Sequence, residues 1–539
     1  MTFSIISIGW IIPQNSEGRG QRFESSRVRQ FPFVAFDFDW KDDLKSLGFR
    51  EQDRSLCMFL GLDLGTSSLK AMLIGEDGAI VGTASSGLTV SRPQDGWSEQ
   101  DPRDWTHACD LAMTALASAY PKEMTSVSGI GLSGHMHGAT LLDGADQVLR
   151  PCMLWNDTRS HAEAAALDGD PIFHKIAGNI VFPGFTAPKV EWVRKCEAAI
   201  FEKTAKVLLP KDYLRFYLTG EHVSEMSDAA GTAWLDVAKR DWSEALLEVC
   251  HLTRDHMPRL VEGSEASGQL RAELAAKWGL EGTIIVAGGA GDNAASAAGV
   301  GVVKSGDAFV SLGTSGVLFA ANDAYRPKPE SAVHTFCHAF PDTWHQMGVI
   351  LSATDALNWF AGITGADAQT LTGELKELKG PSGVTFLPYL SGERTPHNDA
   401  QIRGSFIGLG HATDRAELTH AVLDGVAFAL SDNLDALRST GTDIDRVLAV
   451  GGGSKSSYWL EIIATLLDVP VDVPVGGDFG AALGAARLGM IAATGASSEE
   501  VCVAPEIAAT IAPNKALQAP YEMARDRFKA AYPALRELR

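Results

Sequence analysis

At 539 residues the chain exceeds one ordinary hydrophobic core, and two domains of about 250 residues each are expected. Its formal net charge of −21 argues against a nucleic-acid partner, and no apolar run approaches the ~20 residues of a membrane-spanning helix. The seven cysteines are odd in number, scattered and without a Cys-x-x-Cys pair, which reads as reduced thiols in a cytoplasmic protein.

Residues 1–57 lack sustained periodicity, and their basic and acidic side chains balance, so they read as a disordered extension or an over-long start. Met58 begins the first strand. Residues 58–62, 69–74 and 79–84 form three short strands joined by tight turns. Asp101-Pro102 then opens a helix, Asp as its cap and Pro at its first position, with Trp105, Ala108, Cys109, Ala112 and Leu116 as the apolar stripe. Residues 127–132 form a strand that runs into a glycine-rich loop. The style repeats downstream, with strands at 283–287, 308–312 and 446–450 each ending in or near glycines. Antiparallel strands followed by alternating helices and strands, made twice, predict an α/β protein of two related domains, 58–303 and 304–539.

Leu-Gly-Thr-Ser occurs at 64–67 and again at 312–315, each time between two apolar runs. Both copies read as a hairpin whose small turn lets backbone N–H donors approach a phosphate. Gly65, Thr66 and Ser67, and Gly313, Thr314 and Ser315, are therefore candidate nucleotide-binding residues. Asp63 precedes the first copy and Ser311 the second, so only the first half offers a carboxylate that could hold Mg²⁺, mostly through waters. The loop Ser133-Gly134-His135-Met136-His137-Gly138 suits a wall against a small ligand, or a plain connection between strands. Asp292 follows Gly288-Gly289-Ala290-Gly291 at the start of an Ala-rich helix; it is either a helix cap or a general base for an attacking hydroxyl. Gly451, Gly452, Gly453 and Ser454, again between strand and helix, leave room for a purine or a phosphate, or for close packing. His334, Cys337, His338 and His345 invite a zinc reading, but alternation reads as strand and no companion pair has metal-site spacing. No Gly-x-x-x-x-Gly-Lys-[Ser/Thr] occurs, which disfavours a P-loop kinase.

Taken in order, these segments resemble the FGGY family of carbohydrate kinases from Met58 to the C-terminus. Leu154-Trp155-Asn156-Asp157-x-Arg159, the stretch from Gly184 to Trp192, Leu209-Pro210-Lys211-Asp212-Tyr213-Leu214, Met226-Ser227-Asp228-Ala229-Ala230-Gly231-Thr232 and Gly392-Glu393-Arg394-Thr395-Pro396-His397 add to the likeness. The resemblance implies two ribonuclease H-like domains of the actin/Hsp70/hexokinase-like ATPase architecture around a cleft. It implies transfer of the ATP γ-phosphoryl group, with Mg²⁺, to D-xylulose. It makes Asp292 the general base, Asp63 the carboxylate near Mg²⁺ and the phosphates, and Met136, His137, Trp155, Asn156 and Asp157 the sugar contacts. Both turns would face phosphates and Gly451–Gly453 with Ser454 would face adenosine. Two departures bear on sugar preference: His135 stands where Gln is expected, and the loop before Asp292 is one residue longer than a common form. The competing readings are a related kinase for ribulose, fuculose, erythritol or glycerol, and an ATP-driven filament or chaperone protein. The oligomeric state stays open, a homodimer being one option.

Overall fold

The computed structural model describes residues 57–476 and 480–538, so the reading of the N-terminal extension lies, Cys57 apart, outside the described residues. Two seven-stranded sheets dominate. The first runs Ala266–Gln269, Ile285–Ala287, Val127–Gly134, Met58–Leu64, Ser68–Gly75, Ile80–Gly87, with the short strand Ala290–Gly291 also pairing Val127–Gly134. The second runs Ile507–Ile511, Val471–Pro474, Val447–Val450, Ala308–Leu312, Gly316–Asn322, Trp344–Ile350, His334–Cys337.

The two sheets share one pattern. Met58–Leu64 pairs antiparallel with Ser68–Gly75 and parallel with Val127–Gly134, as Ala308–Leu312 pairs antiparallel with Gly316–Asn322 and parallel with Val447–Val450. A second parallel strand and an antiparallel edge strand follow in each. The central strand Met58–Leu64 is buried on both faces, hence its near-continuous apolar run, and only Asp63 is half-exposed. Asp63 lies opposite Lys70 and Ser133, whereas its counterpart Ser311 lies opposite Val317 and Val450. The sequence asymmetry is thus a register position occupied differently in two copies of one fold.

The helix Pro102–Ala119 covers the first sheet as its stripe predicts, and the Asp101 side chain accepts from the Arg103 N–H at 2.9 Å. Helix Ala481–Thr494 behaves otherwise. Although it falls within 304–539, it packs on Met58–Leu64 and Val127–Gly134 of the first sheet and against helix Asp292–Gly299. Its apolar, small-residue surface permits that approach. A Cβ on Gly484 would lie 1.7 Å from the Ala295 carbonyl oxygen. Gly484→Ala therefore has to push the two helices apart, at an expected cost of about 1–3 kcal/mol or more. A lowered melting temperature together with lost activity would show it; a variant that melts like the wild type would contradict this packing.

Candidate active site

Three parallel strand ends meet side by side: Met58–Leu64 carrying Asp63, Val127–Gly134 carrying Ser133, and Ala290–Gly291 leading into Asp292. Carboxyl ends of adjacent parallel strands are where open α/β sheets bind ligands. The extra residue in the loop before Asp292 has a use. Gly289, at φ +74°, kinks the chain where a Cβ would meet the Leu132 carbonyl at 2.1 Å, and Ala290–Gly291 then resumes pairing with Ser133 and Gly134.

Asp292 is the first residue of helix Asp292–Gly299, and Gly291 takes the cap position, so the plain helix-cap reading does not describe it. Its Oδ1 accepts from the Asn293 N–H (2.7 Å) and the Asn293 side-chain amide (2.9 Å). Oδ2 accepts no hydrogen bond among the described residues. Burial, reinforced by the charge of Asp63, pushes its pKa up to about 6. Burial also raises Asp63, against the opposing pulls of the Ser133 hydroxyl and Lys70. Two carboxylates close enough to repel, one of them poised near neutrality, suit a proton acceptor beside a cation.

The turns are built as donors. Thr66 O accepts from Gln100 Nε2 (2.7 Å) and Ser67 O from the Leu88 N–H (2.8 Å). Gly313 O accepts from the Thr354 N–H (2.9 Å) and hydroxyl (2.7 Å), and Thr314 O from the Ala353 N–H (2.8 Å). The carbonyls are thereby tied back. The N–H groups of Thr66, Ser67, Thr314 and Ser315 make no hydrogen bond among the described residues, as an anion cradle requires.

His137 sits at φ +71°, a left-handed conformation unusual for a side chain of its size. Its ring stacks on Phe185 at 4.7 Å, and its Nδ1 lies 2.8 Å from the Gly231 carbonyl. A carbonyl only accepts, so Nδ1 carries the proton and Nε2 is left as a bare acceptor. Burial first, then Lys189, holds the ring neutral with a pKa of about 3. Met136 is 6 % exposed and touches Gly291 and Gly231, which makes it the apolar floor beside Asp292. Trp155 is 46 % exposed and its indole N–H donates to Thr66 Oγ1 at 3.0 Å, which joins the segment 154–159 to the first turn. Asn156 keeps a buried Oδ1 without a partner.

Asp157 corrects the sequence expectation. It is fully buried, and its oxygens accept from the Ser98 N–H (2.7 Å) and from Arg159 Nε and Nη2 (2.9 and 2.6 Å). It anchors Arg159, whose guanidinium lies 3.5 Å from the Trp97 ring centroid, and has no direction left for a ligand. His135 also turns inward: it is 3 % exposed, packs edge-on to Trp105 at 5.7 Å, and neither ring nitrogen has a partner. Its departure from Gln is a matter of core packing.

A cleft of about 1200 Å³ opens on the second half, lined by Asn358, Gln369, Gly452, Gly453, Lys455 and Tyr458 among others. Gly452 has open space where a Cβ would stand; Gly453 is packed against Leu312 and Trp459. Ser454 donates its hydroxyl back to Gly451 O at 2.7 Å. Of the four, Gly452 has the geometry of a ligand-facing residue. His334, Cys337, His338 and His345 lie in or beside the second sheet: His338 Nε2 is 3.1 Å from Val302 O, and His345 stacks on Phe319 at 4.5 Å.

Several residues here went unread in the sequence. Asn293 orients Asp292, Gln100 ties back the first turn, and Phe185 supports His137. Arg394 reaches from the second half to within 3.2 Å of His334 Nε2 and 4.8 Å of the Phe182 ring. The segments that hold Phe185 and Arg394 were singled out, without a role for either.

Comparisons with known proteins agree on one family over most of the chain. The model for the FGGY family of carbohydrate kinases, N-terminal domain, matches residues 58–299, and that for its C-terminal domain matches 308–493. Xylulose kinase of Escherichia coli (strain K12) is 48% identical over 482 residues, 89% of this chain and 99% of the relative. Xylulose kinase of Klebsiella pneumoniae is 50% identical over 81% of this chain and 90% of the relative. Among solved structures, one described as a xyloylose kinase from Brucella ovis is 64% identical with a TM-score of 0.88, covering 89% of this chain and 100% of that one.

Proposed function

Because the chain belongs to the FGGY family of carbohydrate kinases, with its two-domain actin/Hsp70/hexokinase-like ATPase fold, we propose that it phosphorylates D-xylulose at the 5-hydroxyl with ATP. The observation that carries the reading is Asp292, a half-buried carboxylate with one free oxygen and a pKa of about 6, between a phosphate turn and a loop with a bare imidazole acceptor. Asp292 takes the proton from the attacking hydroxyl, since a protonated alcohol oxygen is a poor nucleophile. His137 Nε2 accepts from a sugar hydroxyl, and Met136 excludes water beside the reacting oxygen. The free N–H groups of both turns receive the charge on the phosphoryl oxygens. The hard oxygen of Asp63 suits a Mg²⁺ that arrives with the nucleotide and keeps most of its waters; when bound it neutralises phosphate charge.

Assignment of the sugar rests on the Met136-His137 loop and on the relatives named above. A coupled ADP-release assay across D-xylulose, ribulose, fuculose, erythritol and glycerol tests it. D-xylulose is expected to give the highest kcat/KM; a higher value for any other acceptor would replace it. His137→Ala is expected to cut kcat/KM for D-xylulose by roughly 5- to 150-fold, the worth of about 1–3 kcal/mol for a buried hydrogen bond. Sugar-independent ATP hydrolysis and the melting temperature are expected to hold; equal loss of all three would return His137 to a packing role. No helix among the described residues is long and apolar enough to cross a membrane. All seven cysteines are free, which supports a cytoplasmic setting.

A further inference from the structure

Lys189 has no exposed surface, and among the described residues it makes no salt bridge. A lysine is a poor choice for filling space in an apolar interior, because its charge is costly to bury without a carboxylate. What it has instead is two backbone carbonyls. Its Nζ donates to His137 O at 2.9 Å and to Gly184 O. Each carbonyl belongs to a different segment of the sugar-facing wall. His137 is the left-handed residue of the first, and its carbonyl also accepts the Thr186 hydroxyl at 3.2 Å. Gly184 begins the second, and a Cβ there would lie 2.4 Å from the Trp155 carbonyl, so this segment in turn rests on the third.

We propose that Lys189 is the positioning residue of the sugar site: its ammonium clamps the loops of His137 and Gly184 into one wall and holds His137 in the conformer that presents Nε2. Ala139 bridges Met153 beside the first and third of these segments, but among the described residues no strand pairing reaches Gly184. Gly231 O and the Phe185 ring hold the His137 imidazole, while Lys189 and the Thr186 hydroxyl hold its carbonyl, and of these only Lys189 also ties in the Gly184 segment. The inference rests on the reading of residues 135–138 as the sugar wall.

Charge supplies a signature. Burial drives the Lys189 pKa down to about 7. Cys152 and Asp157 oppose that shift and Arg159 adds to it, while His135 and His137 are both held neutral at about 3. The Cys152 thiol is held protonated, at about 11. Lys189 is therefore the group of this wall whose charge changes near neutrality. Neutral, it keeps two N–H donors but loses the charge assistance that makes such bonds strong. Sugar that selects the clamped conformer must then bind the protonated form better, and its binding takes up protons above the pKa of the free enzyme.

The test compares wild type with Lys189→Met, which keeps the volume and removes the donors, using D-xylulose as the probe. In the wild type, KM for D-xylulose is expected to rise between about pH 6 and pH 9, while KM for ATP stays flat. In Lys189→Met, KM for D-xylulose is expected to be roughly tenfold higher or more at low pH, and independent of pH across that window. An unchanged KM, a retained pH dependence, or parallel loss toward both substrates with a depressed melting temperature would each overturn the proposal. If the variant does not accumulate, calorimetry of D-xylulose binding to the wild type at about pH 8, in two buffers of different ionisation enthalpy, decides instead. Proton uptake supports the clamp and its absence defeats it. Failure of the sugar assignment looks different: the wild type would then turn over another acceptor with a higher kcat/KM than D-xylulose.

Discussion

Asp292→Asn is expected to lower kcat by about 10²- to 10⁴-fold with ATP binding intact, the usual loss when a positioned general base is removed. The substitution preserves shape, and the Asn293 donors can still meet the amide oxygen, so the protein is expected to melt normally. The pH profile gives a second reading. Asp292 accepts a proton only when ionised, and burial with the Asp63 charge holds its pKa at about 6. The wild-type rate is therefore expected to fall as pH drops below about 6, roughly tenfold per unit once the carboxylate is mostly protonated. Asp63→Asn removes the repulsion that helps raise that value, so the acid limb of its residual activity is expected to move to lower pH. A limb that stays in place in Asp63→Asn would mean that another group controls it. Near-normal turnover by Asp292→Asn would remove the base from the mechanism.

Strand 308–312 was read with its observed ends, because an apolar run bounded by turn residues is a local signal. Where tertiary contacts decide, the reading shortened or lengthened elements. The strand expected at 283–287 begins at Ile285, and the expected loop at 290–291 is a strand, since pairing with Ser133 and Gly134 depends on a partner far away in sequence. Helix Ala481–Thr494 falls within 304–539, and its Gly489 packs on Ile130 and Gly131 of the first sheet, a match that only the folded surfaces reveal. The site divides similarly. Asp63, Asp292 and the two turns can be proposed from the sequence because strand-end chemistry has a local pattern there. Lys189 is not, because a lone lysine reads as solvated, and Asp157 was misread because nothing local announces that Arg159 and Ser98 consume its oxygens.

The same blindness covers the most charged part of the interior. Lys211 and Arg215 are fully buried with Asp212, Glu225 and Asp228. Lys211 Nζ lies 3.0 Å from Asp212, 3.2 Å from Glu225 and 3.2 Å from Asp228. Burial, aided by Asp212 and Glu225, drives the Asp228 pKa well above the usual carboxylate range, so it keeps its proton. Burial also works against an ionised Asp212, but Lys211 and Arg215 win and hold it below that range. The cluster reaches the base through two contacts: Arg215 donates to Gly288 O, and the Ser227 hydroxyl, itself bonded to Glu225 at 2.8 Å, accepts the Gly291 N–H at 3.0 Å. Lys211→Met is expected to leave one carboxylate uncompensated in the interior, at a cost of about 3–5 kcal/mol. Asp228→Asn is expected not to destabilise, and to gain stability over the wild type as pH rises from about 4 to 7, since burial favours the protonated carboxyl and an amide needs no proton to fold. The sign follows from linkage: a carboxyl with a raised folded pKa binds its proton more tightly folded than unfolded, so its contribution to stability falls as pH rises above the ordinary carboxylate value. Chemical denaturation of both variants measures the contrast, and turnover well below the melting range of Lys211→Met measures the second effect. That variant is expected to lose kcat even while folded, because Asp212 and Glu225, which hold Arg215 and Ser227 against the strand that aims Asp292, lose their shared cation. Equal destabilisation by the two substitutions would show that Asp228 is ionised and that the cluster is balanced in another way.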